Sequence, residues 1–193
     1  MNRIRFVALL VAILGTLLFL NNQFNQPETW ESINRKGLSA FQESHYAEAE
    51  KHFKEAAKLG GTFPPTDPRI NFSLNQLAEI YRIQSKFSEA EQVLKQLLES
   101  YKIKFGPNHI NVALTLNNLA ANSRIQGKFE ESEILLKQAL KILEDSLGAE
   151  HPILGNLLEH YAHLLHQMNR STEAGEIEKR YHEIYSRLGI NNL

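Results

Sequence analysis

The 193-residue sequence contains no cysteine, which excludes a disulfide framework, an iron–sulfur cluster, a thiol nucleophile and a zinc site with cysteine ligands. Positive charge is not in excess, because 21 Lys and Arg residues stand against 22 Asp and Glu residues. Proteins that bind nucleic acid through its phosphates need a clustered cationic excess, so we expect no nucleic-acid partner. With 42% apolar and 22% charged residues, the composition is that of a folded chain.

The motifs of common catalytic sites are also missing. No strand pattern leads into a glycine-rich phosphate loop, and Gly127 with Lys128 belongs to a helical turn. No serine occupies the strand-to-helix elbow of a serine hydrolase. The sequence therefore predicts neither an enzyme nor a bound cofactor.

The N-terminus has a composition of its own. Arg3 and Arg5 precede an apolar run over residues 6–20, and the next charged residue is Glu28. This is the arrangement of a secretory signal or of an uncleaved signal-anchor. Because no small-residue cleavage site follows the run, we predict that residues 1–20 form a short hydrophobic helix that is retained as a single-pass membrane anchor.

The anchor prediction sets the topology of the whole chain. Positive charge before the apolar run places the N-terminus in the cytoplasm. The linker 21–29 and the domain that follows, residues 30–190, are then extracytoplasmic. As a helix, residues 6–20 would span about 22 Å, less than the ~30 Å hydrocarbon core. Signal cleavage, with a secreted or periplasmic product, is therefore the alternative.

Beyond residue 30 the chain matches itself when it is shifted by 42 residues. The segment Arg82–Gln84 recurs as Arg124–Gln126, and Leu77–Ala78 recurs as Leu119–Ala120. Self-similarity at a fixed period indicates a repeat array. Weaker matches extend the period in both directions, which gives four units at about 30–68, 70–110, 111–152 and 153–188.

The apolar residues within each unit have helical spacing. In the second unit Leu74, Leu77, Ala78 and Tyr81 follow the pattern i, i+3, i+4, i+7, and a second such series begins at Phe87 after a short polar break. We therefore predict an all-α fold in which each unit is a helix, a tight turn and an antiparallel helix. One hairpin cannot bury its apolar face alone, so the four units should stack into one solenoid.

Three segments of the central units carry a family resemblance: Leu116–Ala120, Gly127–Glu131 and Leu147–Pro152. They resemble the tetratricopeptide repeat, and more narrowly the 42-residue variety of kinesin light chains and many bacterial relatives. In the first unit the small Gly37 and the large Phe53 fit the same pattern. The resemblance implies a right-handed solenoid that acts by binding other proteins, and it does not identify the partner.

In tetratricopeptide arrays the first helix of each unit lines a concave groove that holds extended peptides. The common frame makes Asn34, Asn75 and Asn117 equivalent, as a ladder of side-chain amides suited to a peptide backbone. Arg82 and Arg124 are equivalent too and would bind a carboxylate of the peptide. The candidate groove residues are Asn34, Asn75, Glu79, Arg82, Asn117, Asn118, Arg124, Asn156, His160 and His163.

Simpler interpretations of the same residues exist. The amides could be ordinary solvated helix surface, and each arginine could pair with an acidic neighbour such as Glu79. We expect the aromatic residues Tyr101, Phe105 and Tyr181 to lie in the core between helices rather than around a cofactor.

Three histidines of the last unit, His160, His163 and His166, fall on one broad side of a helix. Neutral imidazoles there could share a metal ion, with Glu159 or Glu173 as a further ligand. The spacing i, i+3, i+6 matches no metal motif. We therefore predict a polar or pH-sensitive groove wall and no metal.

Together these features predict a membrane-tethered module that binds an extended peptide segment of a protein partner in its groove. The alternative is an assembly or scaffold factor for an envelope complex that acts through the ends of the array. That role would need an apolar end face, which Ile177, Tyr181, Ile184 and Leu188 on the last helix could supply. The sequence leaves the oligomeric state open.

Overall fold

A computed structural model describes residues 28–64, 67–187 and 189. The described part of the chain is all α-helical and contains no strand. Its helices are α1 (Trp30–Gln42), α2 (Tyr46–Gly60), α3 (Pro68–Ile83), α4 (Phe87–Phe105), α5 (Ile110–Ile125), α6 (Phe129–Leu147), α7 (Pro152–Gln167) and α8 (Ser171–Arg187). The hydrophobic helix predicted over residues 1–20 lies outside the described residues. None of the helices among the described residues combines the length and the hydropathy that a membrane span requires.

Successive helices form four antiparallel hairpins, as the repeat pattern predicts. The turn of each hairpin contains one residue with a positive φ near 60° to 75°, and these residues recur at the repeat period. They are Ser44, Ser85, Gly127 and Asn169. In each turn the amide just before the second helix donates to a carbonyl near the end of the first helix, as from Lys86 N to Tyr81 O at 2.8 Å. A left-handed residue with this back-bonded amide ends a helix abruptly and reverses the chain.

The first helix of each later unit is capped by a side chain at one repeated position. Asp67, His109 and His151 precede α3, α5 and α7, and each accepts a hydrogen bond from the backbone amide two residues on. Such a bond satisfies one of the four free amides at a helix N-terminus. Pro68 and Pro152 occupy the first helical position, where a missing amide hydrogen is harmless.

The core runs continuously along the stacked hairpins. Phe53 is fully buried, and a Cβ on Gly37 would lie 3.0 Å from its ring, so the small residue of α1 makes room for the large residue of α2. At the equivalent positions of the next two units, Leu94 and Leu136 of the second helices and Ala78 and Ala120 of the first are buried in the same core. Burial of these side chains supplies the main driving force for the stack.

A half-buried glutamate in each of the first three second helices joins one unit to the next. Glu91 of α4 accepts a bond from Lys95 on its own helix at 2.6 Å and another from Lys128, in the turn of the next unit, at 2.9 Å. The other two glutamates, Glu50 and Glu133, are bound in the same way. The equivalent trios are Glu50 with Lys54 and Lys86, and Glu133 with Lys137 and Arg170. We call these three trios the inter-unit clamps.

The clamps hold their carboxyl groups ionised. The bonds from Lys95 and Lys128 lower the pKa of Glu91 to about 2, and the bond from Arg170, with that from Lys137, lowers the pKa of Glu133 to about 2. In the last unit the corresponding position is Gly175, which is exposed. Helix α8 therefore has no clamp carboxylate.

We predict that Glu91→Gln weakens the contact between the second and third units. The neutral amide keeps the shape of the carboxylate but loses two charge-assisted bonds, so the free energy of unfolding should fall by about 1–2 kcal/mol. Urea unfolding followed by circular dichroism measures this loss. The matched control is Asp145→Asn, since Asp145 pairs with Lys141 at 3.0 Å on the exposed surface of α6. The control should change stability by under about 0.5 kcal/mol, and an equal loss in both variants would contradict the clamp.

We also predict that acid loosens the stack. The pKa values of Glu91 and Glu133 are about 2 in the folded chain against an ordinary 4.5, so the unfolded state takes up protons first as the pH falls. The clamps therefore stabilise fully above about pH 5, and their contribution is lost between about pH 5 and pH 2. The urea midpoint should fall over that range, and the fall should be smaller in the Glu91→Gln, Glu133→Gln double variant. An identical pH profile for both proteins would refute this prediction.

Candidate functional site

The first helices α1, α3, α5 and α7 share one exposed side of the array, which we call the first-helix face. Between units three and four the side chains of this face are joined directly. His160 Nδ1 lies 3.0 Å from Asn117 Oδ1, and Arg124 donates to Gln167 Oε1 at 3.1 Å. Each bond crosses from α5 to α7, so the polar residues form a connected surface rather than separate solvated side chains.

The bond between His160 and Asn117 fixes the protonation of the imidazole. Because an amide oxygen can only accept, Nδ1 carries the hydrogen and Nε2 is left as an acceptor in the neutral ring. Partial burial of the ring lowers the pKa of His160 below its ordinary 6.5, and the positive charge of Arg124 lowers it further against the opposing effect of Glu159. His160 is therefore neutral at pH 7.

A pocket of about 570 Å³ opens on the first-helix face between α5 and α7, and we call it the unit-four pocket. Its floor is apolar and its rim is polar. The floor consists of Leu114, Leu143, Ile153 and Leu157, and the rim of Asn117, Asn156, Glu159, His160 and His163. An apolar floor with a few convergent polar groups is the composition of a ligand pocket. Four of the ten predicted groove residues meet here: Asn117, Asn156, His160 and His163.

Other predicted groove residues have partners inside the array. Asn75 donates to the hydroxyl of Tyr101 at 3.3 Å, and Asn156 accepts from the hydroxyl of Tyr185 at 2.9 Å. Arg82 pairs with Glu79 one turn earlier at 3.1 Å, which is the simpler interpretation named above for the arginines. Arg124 has no carboxylate partner among the described residues. Asn118 is exposed on α5.

The prediction for Asn34 is wrong. Asn34 is only 3% exposed, its Nδ2 donates to Trp30 O, and its Oδ1 accepts from Ser73 Oγ at 3.3 Å. It joins α1 to α3 and offers nothing to a ligand. The repeat frame placed it correctly along the sequence, but the first unit packs that position against the second.

Two apolar residues of the first-helix face escaped the sequence analysis. Phe72 and Leu114 are 38% and 39% exposed and occupy equivalent positions of α3 and α5. Trp30 of α1 lies one residue before the equivalent position, Glu31, and its ring meets that of Phe72 edge to face at 5.9 Å. In α7 the position equivalent to Leu114 is occupied by the polar Asn156. The 42-residue recurrence of an apolar residue at this position is the signal in the sequence that marks them.

The histidine trio of α7 does not converge. His160 bonds to Asn117, whereas His166 Nε2 lies 2.9 Å from Glu178 of α8. His163 lines the rim of the unit-four pocket. No group of three His, Asp or Glu side chains within the described ranges is placed to hold a metal ion.

The end of the array differs from what an assembly role would need. Ile184 is buried, and Ile177 and Tyr181 pack against the core, while the side chain of Leu188 lies outside the described residues. The exposed side of α8 is polar. The core prediction holds for Tyr101 and Tyr181 and is wrong for Phe105, which is 42% exposed and stacks on His109 at 4.4 Å.

We predict that the charge of the side chain at position 117 controls the pKa of His160. Replacing Asn117 with Asp places a negative charge beside Nδ1, which stabilises the imidazolium, so the pKa of His160 should rise above its value in the native chain. Nuclear magnetic resonance titration of the imidazole measures both values. Asn118→Asp, exposed on the same helix, is the control and should have a smaller effect. Equal shifts in the two variants would contradict the bond between Asn117 and His160.

Comparisons with known proteins agree with this architecture. The family model described as tetratricopeptide repeat matches residues 69–145 and 111–187. A putative kinesin light chain of Podosopora anserina with nearly identical TPR-like repeats superposes with a TM-score of 0.76 at 18% identity, over 93% of this chain and 86% of that one. BtubC (BKLC) from P. vanneervenii gives 0.75 at 17% identity over 83% of this chain and 64% of that one. This chain therefore spans under two thirds of BtubC.

A third solved structure is that of a peptide-bound protein. PlcR of Bacillus thuringiensis, in complex with the peptide PapR7 and DNA, has a TM-score of 0.67 at 15% identity, over 89% of this chain and 62% of PlcR. No sequence among the curated proteins matches this chain significantly. The two family matches together cover more than half of the chain, and the helical hairpins recur at the expected period. The protein belongs to the tetratricopeptide repeat family.

Proposed function

We propose that this protein is a membrane-tethered interaction module that binds an extended peptide segment of a partner protein on its first-helix face. The observation that carries the proposal is the unit-four pocket, in which an apolar floor is surrounded by an amide pair and two imidazoles. Tetratricopeptide repeats are protein-interaction modules, and the structurally similar PlcR was solved with a peptide. No catalytic family is indicated by the matches.

The chemistry of the face suits a peptide in two ways. The floor of the pocket, with the exposed Leu114 at its edge, offers burial to one or two apolar side chains. Asn117 keeps its two amide hydrogens free for peptide carbonyls, because its oxygen is occupied by His160. Arg124 provides a guanidinium for a peptide carboxylate.

The tether rests on the sequence alone, through the apolar run 6–20. With the N-terminus cytoplasmic, the repeats lie outside the cytoplasm and meet partners of the same membrane or envelope. A tether confines the module near such partners, which raises its effective concentration without any added contact. The competing role, assembly through the array ends, is less well supported, because Ile184 is buried and Ile177 and Tyr181 pack against the core.

The proposal is tested with a displayed library of random peptides, selected on the full-length protein in detergent. Asn75 keeps its amide oxygen and one amide hydrogen beyond the bond to Tyr101. We predict that Asn75→Ala with Asn117→Ala weakens the selected peptides by about 1 kcal/mol per lost peptide hydrogen bond, which is about fivefold for each. Calorimetry or fluorescence anisotropy measures the loss, and circular dichroism should show unchanged helix content.

The matched control replaces two exposed glutamines of the second helices, Gln92→Ala with Gln138→Ala. This pair also removes side-chain amides, but from the second helices rather than from the first-helix face, and it should leave the peptide affinity unchanged. If both pairs of substitutions reduced the peptide affinity equally, or if neither pair reduced it, the binding surface would lie elsewhere. Collapse of helix content in the asparagine pair would make those residues structural.

A further inference from the structure

The two edges of the solenoid differ in their exposed residues. In an antiparallel hairpin, the start of the first helix and the end of the second lie at the same edge, here called the junction edge. Bonds confirm this placement, since Ser100 near the end of α4 donates to Asn71 near the start of α3 at 2.8 Å. The four turns, including Ser85 and Gly127, lie at the opposite edge.

The junction edge of the first two units carries an apolar patch. Ile103, in the last turn of α4, is 77% exposed, more than any other large hydrophobic side chain of the described residues. It forms one wall of an open groove of about 640 Å³ whose other walls include Phe63, Pro64 and Ile70. Phe105, also exposed, ends the same helix. We call Phe63, Pro64, Ile70, Ile103 and Phe105 the junction patch.

Basic residues alternate with the apolar ones at the end of α4. Lys102 and Lys104 flank Ile103, and the Lys104 ammonium lies 4.9 Å from the centre of the Phe105 ring. Lys102 pairs with Glu99, whereas no carboxylate of the described residues lies within ion-pair distance of Lys104. Exposed aliphatic and aromatic side chains beside lysines are the composition of a surface that enters the headgroup layer of a bilayer.

The start of the described chain leads directly to this patch. Glu31, in the first turn of α1, pairs with Arg69 at 3.2 Å, and the Arg69 guanidinium lies 3.7 Å above the ring of Phe63. Phe63 and Ile103 line the same groove. The chain that precedes α1 therefore joins the solenoid at the junction edge.

The short linker keeps the junction edge close to the membrane in which residues 6–20 are proposed to be anchored. Residues 21–29 reach at most about 30 Å when fully extended. The edge at which the linker joins is thus the part of the solenoid nearest to the membrane in the proposed tethered protein.

We propose that the junction patch rests on the surface of the bilayer that anchors residues 6–20, with Ile103 and Phe105 in the headgroup layer and Lys104 against anionic headgroups. This proposal rests on the tether proposed above. Contact at the junction edge would point the helix ends of these units toward the membrane, with the first-helix face sideways and open to partners.

The absence of cysteine makes the test direct. The full-length chain is prepared as Ile103→Cys and as Ile134→Cys, each labelled with a small fluorophore and reconstituted in phosphatidylethanolamine vesicles that contain phosphatidylglycerol. Ile134, 57% exposed near the start of α6, is the matched control, because it is an exposed isoleucine near the turn edge. Lipids with a nitroxide near the headgroup quench fluorophores that enter that layer.

We expect strong quenching at position 103 and none at position 134. An alkaline carbonate wash separates the two proposals. If the protein stays with the vesicles and neither position is quenched, the tether stands and the patch contact is overturned. If the wash removes the protein and neither position is quenched, both are overturned. Equal quenching at both positions would also overturn the patch contact, as would disulfide dimers of the unlabelled Ile103→Cys variant, which would mark the patch as an interface between copies.

Discussion

Burial of one hairpin's apolar face against the next hairpin is the interaction on which the rest of this structure depends. No single pair of helices encloses a core of its own here, and side chains such as Phe53 and Leu136 belong to one core cluster that runs through all four units. The period of 42 residues follows from that constraint, because every unit must present the same face at the same place. Caps and turns recur at the period because every unit is the same kind of hairpin, and the clamps recur because each one fixes a unit against its neighbour.

The stacking of the units also determines which polar and charged side chains join one unit to the next and which are left to contact a ligand. At the second helices, carboxylates such as Glu91 are bound by cations from two units and kept ionised. On the first-helix face, Asn117, Arg124 and His160 meet where α5 and α7 lie side by side, with a pocket beside them. The proposed peptide site thus lies on the helices that carry no clamp glutamate.

Chain direction adds a second asymmetry. Each unit begins and ends at the junction edge, so longer and more variable segments collect there, including the connection from α2 to α3 beside Phe63. The tight turns of the other edge have no room for such variation. Exposed apolar residues such as Ile103 can therefore accumulate at the junction edge without disturbing the core, and the proposed membrane contact depends on this freedom.

The sequence by itself determined the helices, the period and the position of each residue in the repeat, because helical spacing and turn chemistry are local. It also marked Asn117, His160 and Arg124 as surface residues of the first helices. Only the tertiary structure decided whether each of those positions is buried between units or exposed to a ligand. Asn34 and Asn117 share one frame position, yet the first is buried against Ser73 and the second faces a pocket. Burial, the pairing of Glu91 with Lys128 and the pocket itself depend on neighbouring units, and no local pattern records which neighbour a side chain will meet.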